Sequence, residues 1–145
     1  MAILESQRQL INDAILSLGI DPEVCQQKEQ PNSWKLHRGQ TQIIIIAQES
    51  TNHKNDKIPT ISMMAPILNL PKNFSQTEDL YQYVLAANHK LITESFSISN
   101  QWVILSSTYY IDDMRRQEIA QMLDALSFHA QSFASLLSDK FDFSN

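Results

Sequence analysis

Trp34-Lys35-Leu36-His37-Arg38-Gly39-Gln40-Thr41-Gln42-Ile43-Ile44-Ile45-Ile46-Ala47 is the stretch whose reading decides the fold. Trp34 and Leu36 alternate with polar residues, and Gly39 sits where the chain must turn tightly. Ile43 to Ala47 then returns as a β-branched run, so the pattern is strand, turn, strand. β-Branched side chains fit a pleated surface well. Four isoleucines in a row place apolar groups on both faces, so this strand is expected to be central or covered on both sides.

Working outward, Ser50 to Lys57 is a polar connection, and Ile58 to Pro66 reads as a third strand. Pro59 lacks an amide donor and belongs at the strand's beginning or on an exposed edge. Leu70-Pro71 closes the extended stretch. Farther on, Ile92, Glu94, Phe96 and Ile98 alternate with Thr93, Ser95 and Ser97, the period of a half-buried strand. Ser99-Asn100 is the expected two-residue loop, and Trp102 to Tyr109 is the return strand.

Three helices frame the strands. Ile3, Leu4, Leu10, Ile11, Ala14, Ile15 and Leu18 form one stripe over residues 3–18. Gly19 takes the C′ position, with Ile20 able to close a Schellman-type cap, and Asp21-Pro22-Glu23 is a short capped turn. Residues 26–33 are polar, contain Pro31 and read as a loop. Ser75-Gln76-Thr77-Glu78 has the form of a capping box, followed by a stripe of Leu80, Val84, Ala87 and Leu91. Asp112 or Asp113 is the expected cap of the last helix, whose stripe runs from Ile119 to Leu137. The order α-β-β-β-α-β-β-α gives an α+β fold with a largely antiparallel five-stranded sheet packed with helices. Residues 1–140 are expected to form a single domain, with 141–145 a short, loosely docked tail.

The composition narrows the function classes. The 145 residues carry 11 Lys and Arg against 16 Asp and Glu, a formal charge of -5. A mildly acidic surface repels phosphate backbones, so no nucleic-acid partner is expected. No run of 18 apolar residues exists, so no membrane span is expected. The segment Met1-Ala2-Ile3-Leu4-Glu5 lacks a basic n-region. A single cysteine, Cys25, permits no internal disulfide and fits a reducing compartment. Together these make a cytoplasmic location the expectation.

The motifs of catalysis are missing from the sequence. Two glycines twenty residues apart cannot build a phosphate-cradling loop. His37, His53, His89 and His129 have no ligand spacing, so no metal and no cofactor is expected. Asp112-Asp113 is read as helix capping before acid–base chemistry, and no nucleophile motif appears. The chain is therefore expected to have no catalytic residue.

Aromatic and methionine side chains on the strands are the remaining signal. Trp34, Met63, Trp102, Tyr109 and Tyr110 are the candidate client-binding residues. Each has a core reading beside the interface one. Tyr109 and Tyr110 cannot both face inward on one strand, and Met63 and Met64 point to opposite faces. Apolar groups on both sheet faces, with too few helices to cover both, suggest a binding surface.

Several local patterns, taken with the element order, resemble the YbjN/type III secretion chaperone-like family. They are the opening amphipathic helix, Trp34-Lys35-Leu36 before the Gly39 turn, and Ile61-Ser62-Met63-Met64-Ala65-Pro66 before Leu70-Pro71. The Asp79-Leu80 helix with Asn88, the hairpin from Phe96 to Leu105, and Ile111-Asp112 before the last helix complete them. The resemblance covers nearly the whole chain. It implies a compact α/β sandwich that binds protein segments without catalysing, often as a homodimer, and transfers no active site. A carboxysome-shell assembly chaperone of this architecture fits as well as a secretion chaperone.

The leading expectation is a non-enzymatic chaperone or adaptor that holds a peptide segment or tail of a client, by sheet-face or sheet-edge contacts. The alternative is a small ligand-binding or enzymatic domain whose site is assembled across elements, using His37, His89 or Asp112. A third reading is a homodimer whose apolar patch buries itself.

Overall fold

The computed structural model describes residues 3–141. The helix α1 spans Glu5–Ser17 and ends as Gly19 requires. Gly19 has φ of 83°, its N–H bonds to Leu16 O, and the Ile20 N–H reaches back to Ile15 O. These two bonds make a Schellman cap. The short α2, Pro22–Cys25, starts where the Asp21 carboxylate accepts from the Glu23 N–H. Gln26 then bridges to Trp34.

Strand β1 (Ser33–Arg38) pairs with β2 (Thr41–Thr51), and β2 with β3 (Lys57–Asn69), all antiparallel. Gly39, at φ 62°, makes the first turn. After α3 (Phe74–Lys90) come β4 (Ser95–Ser99) and β5 (Trp102–Tyr110), and β5 inserts beside β3. The sheet order is β1-β2-β3-β5-β4. A short 3-10 turn, Ile111–Asp113, leads into α4 (Arg116–Lys140). The expected α+β fold with its five-stranded antiparallel sheet is thus what forms.

One face of the sheet carries the core. Trp34, Leu36, Ile43, Ile45, Ala47, Ile61, Met63, Ala65, Val103 and Leu105 are buried there. Strand parity puts them on one side. Helix α4 lies across β2, β3 and β5, and α1 packs onto α4. Ile119, Leu123, Leu126, Ala130 and Leu137 are the buried stripe of α4, and Ile11, Ala14 and Ile15 that of α1. Each large buried side chain contributes roughly 1.5–3 kcal/mol. Trp34 is fully buried, and its indole N–H donates to Asn12 Oδ1 at 2.8 Å, tying β1 to α1.

Several local expectations are corrected. The cap of α3 is Asn73, whose side chain accepts from the Ser75 and Gln76 N–H groups, so the helix starts before the Ser75 box. Asp112 and Asp113 lie in the 3-10 turn. The first turn of α4 is held by Glu118, which accepts from the Arg115 N–H and side chain. These bonds, the side-chain one foremost, hold the Glu118 carboxyl below its ordinary range. Strand β4 begins at Ser95, not at Ile92, which is 96% exposed. Pro59 falls near the start of β3, where β5 has no partner residue for it, since their pairing begins at Thr60. Phe141 is buried, edge-on to Tyr83 at 6.4 Å, and is not part of a loose tail. The readings of Met1-Ala2 and of 142–145 lie outside the described residues.

The hairpin loop is Asn100-Gln101, one residue later than expected, with φ of 49° and 70°. Two positive values are the signature of a turn that suits Asn-Gly. Replacing Gln101 by Gly removes the strain of an L-residue in that region, and a gain of about 0.5–1 kcal/mol is expected. The urea midpoint of Gln101→Gly then rises with an unchanged slope.

Candidate protein-binding face

Period-2 alternation sends the other half of the strand residues to the face opposite the helices. Cross-strand registers assemble them into rows. Lys35, Ile44, Met64, Ser106 and Ser95 form one row. Ile46, Ser62 and Thr108 form a second, and Pro66, Ile104 and Ser97 a third. Trp102 and Tyr110 share this face at the two ends of β5.

The chemistry of the face is unusual for one turned toward solvent. Its centre is Ile44, Ile46, Met64, Pro66 and Ile104, all half-buried. Around it lie hydroxyls that satisfy one another. Ser62 and Thr108 share a hydrogen bond of 2.8 Å, and Ser50 and Thr60 one of 2.9 Å. The charged residues of the strands, such as Arg38, Glu49 and Lys57, fall on the other parity or at strand ends. Lys35 is the charged side chain on these rows. At the Tyr110 end the face runs into a cleft of about 410 Å³ lined by Ser50, Thr60, Thr108, Tyr110 and Asp113 among others.

The five candidate residues separate by parity. Trp34 and Met63 are fully buried under the helices and present no surface to a client; this corrects the expectation for both. Tyr109 points to the helix side and is half-buried against the core. Trp102, 38% exposed, and Tyr110, 49% exposed, reach the open face. Ile44, Ile46, Met64, Pro66 and Ile104 belong to the same face and were not among the candidates. Their signal was the isoleucine run and the Met63-Met64 pair read for parity, not for aromatic content.

The two sheet edges are less accessible than the face. On β1, the Gln26 bridge to Trp34 covers the outer side, and the Gln27 N–H donates to Ser33 O. On β4, Asn88 of α3 accepts from the Phe96 N–H at 2.6 Å and donates to Phe96 O at 3.1 Å.

The residues weighed for a composite catalytic site do not converge. His37 lies on β1, His89 in the last turn of α3, and Asp112 takes the Gln7 carboxamide at 3.0 Å. No group of three or more His, Cys, Asp or Glu side chains that could hold a metal occurs among the described residues. His129 Nδ1 meets the buried Glu94 carboxylate at 2.5 Å, which anchors the α3–β4 connection to α4. Burial, and secondarily the negative charge of Asp21, pushes the Cys25 thiol up. No described helix is long and apolar enough to cross a membrane.

A five-stranded antiparallel sheet backed by helices in this order is the fold of type III secretion chaperones. The chain is similar to the Yersinia pestis type III secretion chaperone SycH in complex with a stable fragment of YscM2. The TM-score is 0.60 at 14% identity, over 87% of this chain and 98% of that one. The ExsC–ExsE complex gives a TM-score of 0.60 at 13% identity, over 94% and 97%. The HopA1–SchA chaperone–effector complex gives 0.61 at 8%, over 92% and 98%. At such identities the likeness establishes the fold. No family model and no curated protein sequence matches the chain.

Two measurements check the assignment of faces. Met63→Ala is expected to cost about 2–5 kcal/mol as a core truncation, and Met64→Ala well under half of that, by urea unfolding. A raised thiol pKa leaves little thiolate at neutral pH. Cys25 is therefore expected to react slowly with a disulfide reagent in the native chain, and rapidly once urea unfolds it.

Proposed function

We propose that this protein is a non-catalytic chaperone or adaptor that holds an apolar segment of a client protein against the open sheet face. The observation that carries this reading is an apolar centre of five side chains set among uncharged hydroxyls on a face no described helix covers. Five strands at about 4.8 Å spacing and six or seven residues of common length give a face on the order of 500 Å². That is the size of a functional patch on a monomer. It is smaller than the roughly 800 Å² per partner of a standard domain–domain interface. A helix or extended segment therefore fits better than a second folded domain. The guarded edges favour face contacts over strand addition.

Trp102 and Tyr110 bracket the face, and both combine a large apolar ring with a polar handle suited to a half-wet rim. The likeness to chaperones solved with partner fragments supports the same reading, as does the YbjN-like order of sequence patterns. A cytoplasmic location agrees with the lone cysteine. Support of a larger assembly, in secretion or in carboxysome-shell building, is the role such a holding activity would serve.

The test uses immobilised native chain, an array of apolar peptides and the variants Met64→Glu and Ile44→Lys. Both sites are half-exposed, so circular dichroism is expected to remain native. Peptide retention is expected to fall at least tenfold in each, and by a smaller factor in Trp102→Ala. Retention unchanged by either charge would remove the face from consideration. A chain that sediments as a dimer, dissociates with Met64→Glu and never retains a peptide would make the face a self-interface instead.

A further inference from the structure

Strand β4 ends the sheet, and an end strand presents N–H and C=O groups to any other chain. Natural edges are blunted by lysine, proline, bulges or a covering element. The sequence of β4, Ser-Phe-Ser-Ile-Ser, contains no charge and no proline. Beside it an apolar groove of about 310 Å³ opens between β4 and α3, lined by Tyr81, Val84, Leu85, Phe96, Ser97 and Ile98. Leu85 is 67% exposed and Ile98 41%. An uncharged edge next to an apolar groove is a strand-pairing hazard.

Pairing phase locates the exposed groups. Residues of an antiparallel strand alternate between bonding their partner strand and pointing away from it. Phe96 points away from β5, because both its backbone groups are taken by Asn88. Ile98 has the same phase, and no described residue bonds its outward groups. The carboxamide turns its oxygen and one of its two N–H bonds to the same side, and so engages both groups of one residue. That is the bonding an adjacent antiparallel strand would make.

The geometry points to Asn88 as a surrogate strand: its side chain occupies the central pairing position of β4 and keeps that edge from taking up the β4 edge of a second copy of this chain. With Phe96 occupied, the free run shrinks to Ile98 alone, too short for a ladder. Only the carboxamide supplies both arms. Asp in its place would accept from the N–H but repel the C=O, and Leu would supply neither bond. The inference is independent of client binding on the open face, since β4 contributes only serines there.

Amide hydrogen exchange followed by NMR, with light scattering over a concentration series, tests this on the full chain. In the native protein the Phe96 amide is expected to exchange at least tenfold more slowly than that of Ile98. In Asn88→Ala, Phe96 exchange is expected to accelerate at least tenfold at low concentration, with Ile45 and Met63 unchanged. Average mass is expected to rise with concentration beyond that of the native chain. Adding Ile98→Lys to Asn88→Ala is expected to return the mass to the native value, because the charge blocks the same edge. Should Asn88→Ala fail to fold, Asn88→Asp is read by the same measurements. Phe96 exchanging as fast as Ile98 in the native chain, a mass no higher than native in the variant, or a rise that Ile98→Lys leaves in place would each overturn the proposal.

Discussion

The contact between α4 and the inner face of β2, β3 and β5 is the interaction on which the rest depends. It fixes which parity of each strand is buried, and parity then settles everything on the other side. Ile43 and Ile45 go under the helix, so Ile44 and Ile46 cannot. Met63 goes under, so Met64 stays out. Helix α1 packs against α4 on the same side of the sheet, where Ile11, Ala14 and Ile15 are buried and Asn12 meets Trp34, and α3 sits by β4 at one end of the sheet. Among the described residues no helix remains for the second face. The open surface is thus a consequence of layer count, and the apolar residues on it are what a two-layer arrangement leaves uncovered.

Much of this was legible in the sequence. The element order, the Gly39 turn, the Gly19 cap and the amphipathic stripes follow from local chemistry, and the structure has them in place. What was not legible depends on contacts distant in sequence. The alternation of Ile92 to Ile98 looks like one strand, yet Glu94 is drawn to His129 on α4 and Asn88 grips Phe96, so pairing begins only at Ser95. The hairpin slips by one residue because Gln101 accepts a left-handed conformation that its composition does not announce. At the start of α3, Asn73 accepts from the Ser75 and Gln76 amides, so Ser75 falls inside the helix instead of capping it. The division of the candidate residues between the two faces was less legible. Aromatic and methionine content singled out Trp34 and Met63, which parity assigns to the core, and passed over the isoleucines of the other parity.

Asn88 shows how one polar residue can have two structural effects. It is half-buried on α3, so its carboxamide needs partners, and the outward groups of Phe96 need partners too. Each satisfies the other. The same pair of bonds holds α3 to the sheet margin, where apolar contact is thin: Leu80 and Val84 are the residues of α3 that are buried. The His129–Glu94 contact secures the far side of the same connection. The margin of the sheet is therefore fastened by polar side chains, and its middle by apolar ones.

The two tryptophans sit in opposite solvents. Trp34 is enclosed, with its indole N–H on Asn12, while Trp102 stands at the rim of the uncovered face. One ring emits from a dry, fixed environment and the other from a wet one. The chain consequently carries two optical reporters of its own: quenching by iodide addresses Trp102 selectively, and a blue-shifted component that survives the quencher belongs to Trp34. Occupancy of the sheet surface and loss of the fold can thus be followed separately, at different wavelengths, in the unlabelled protein.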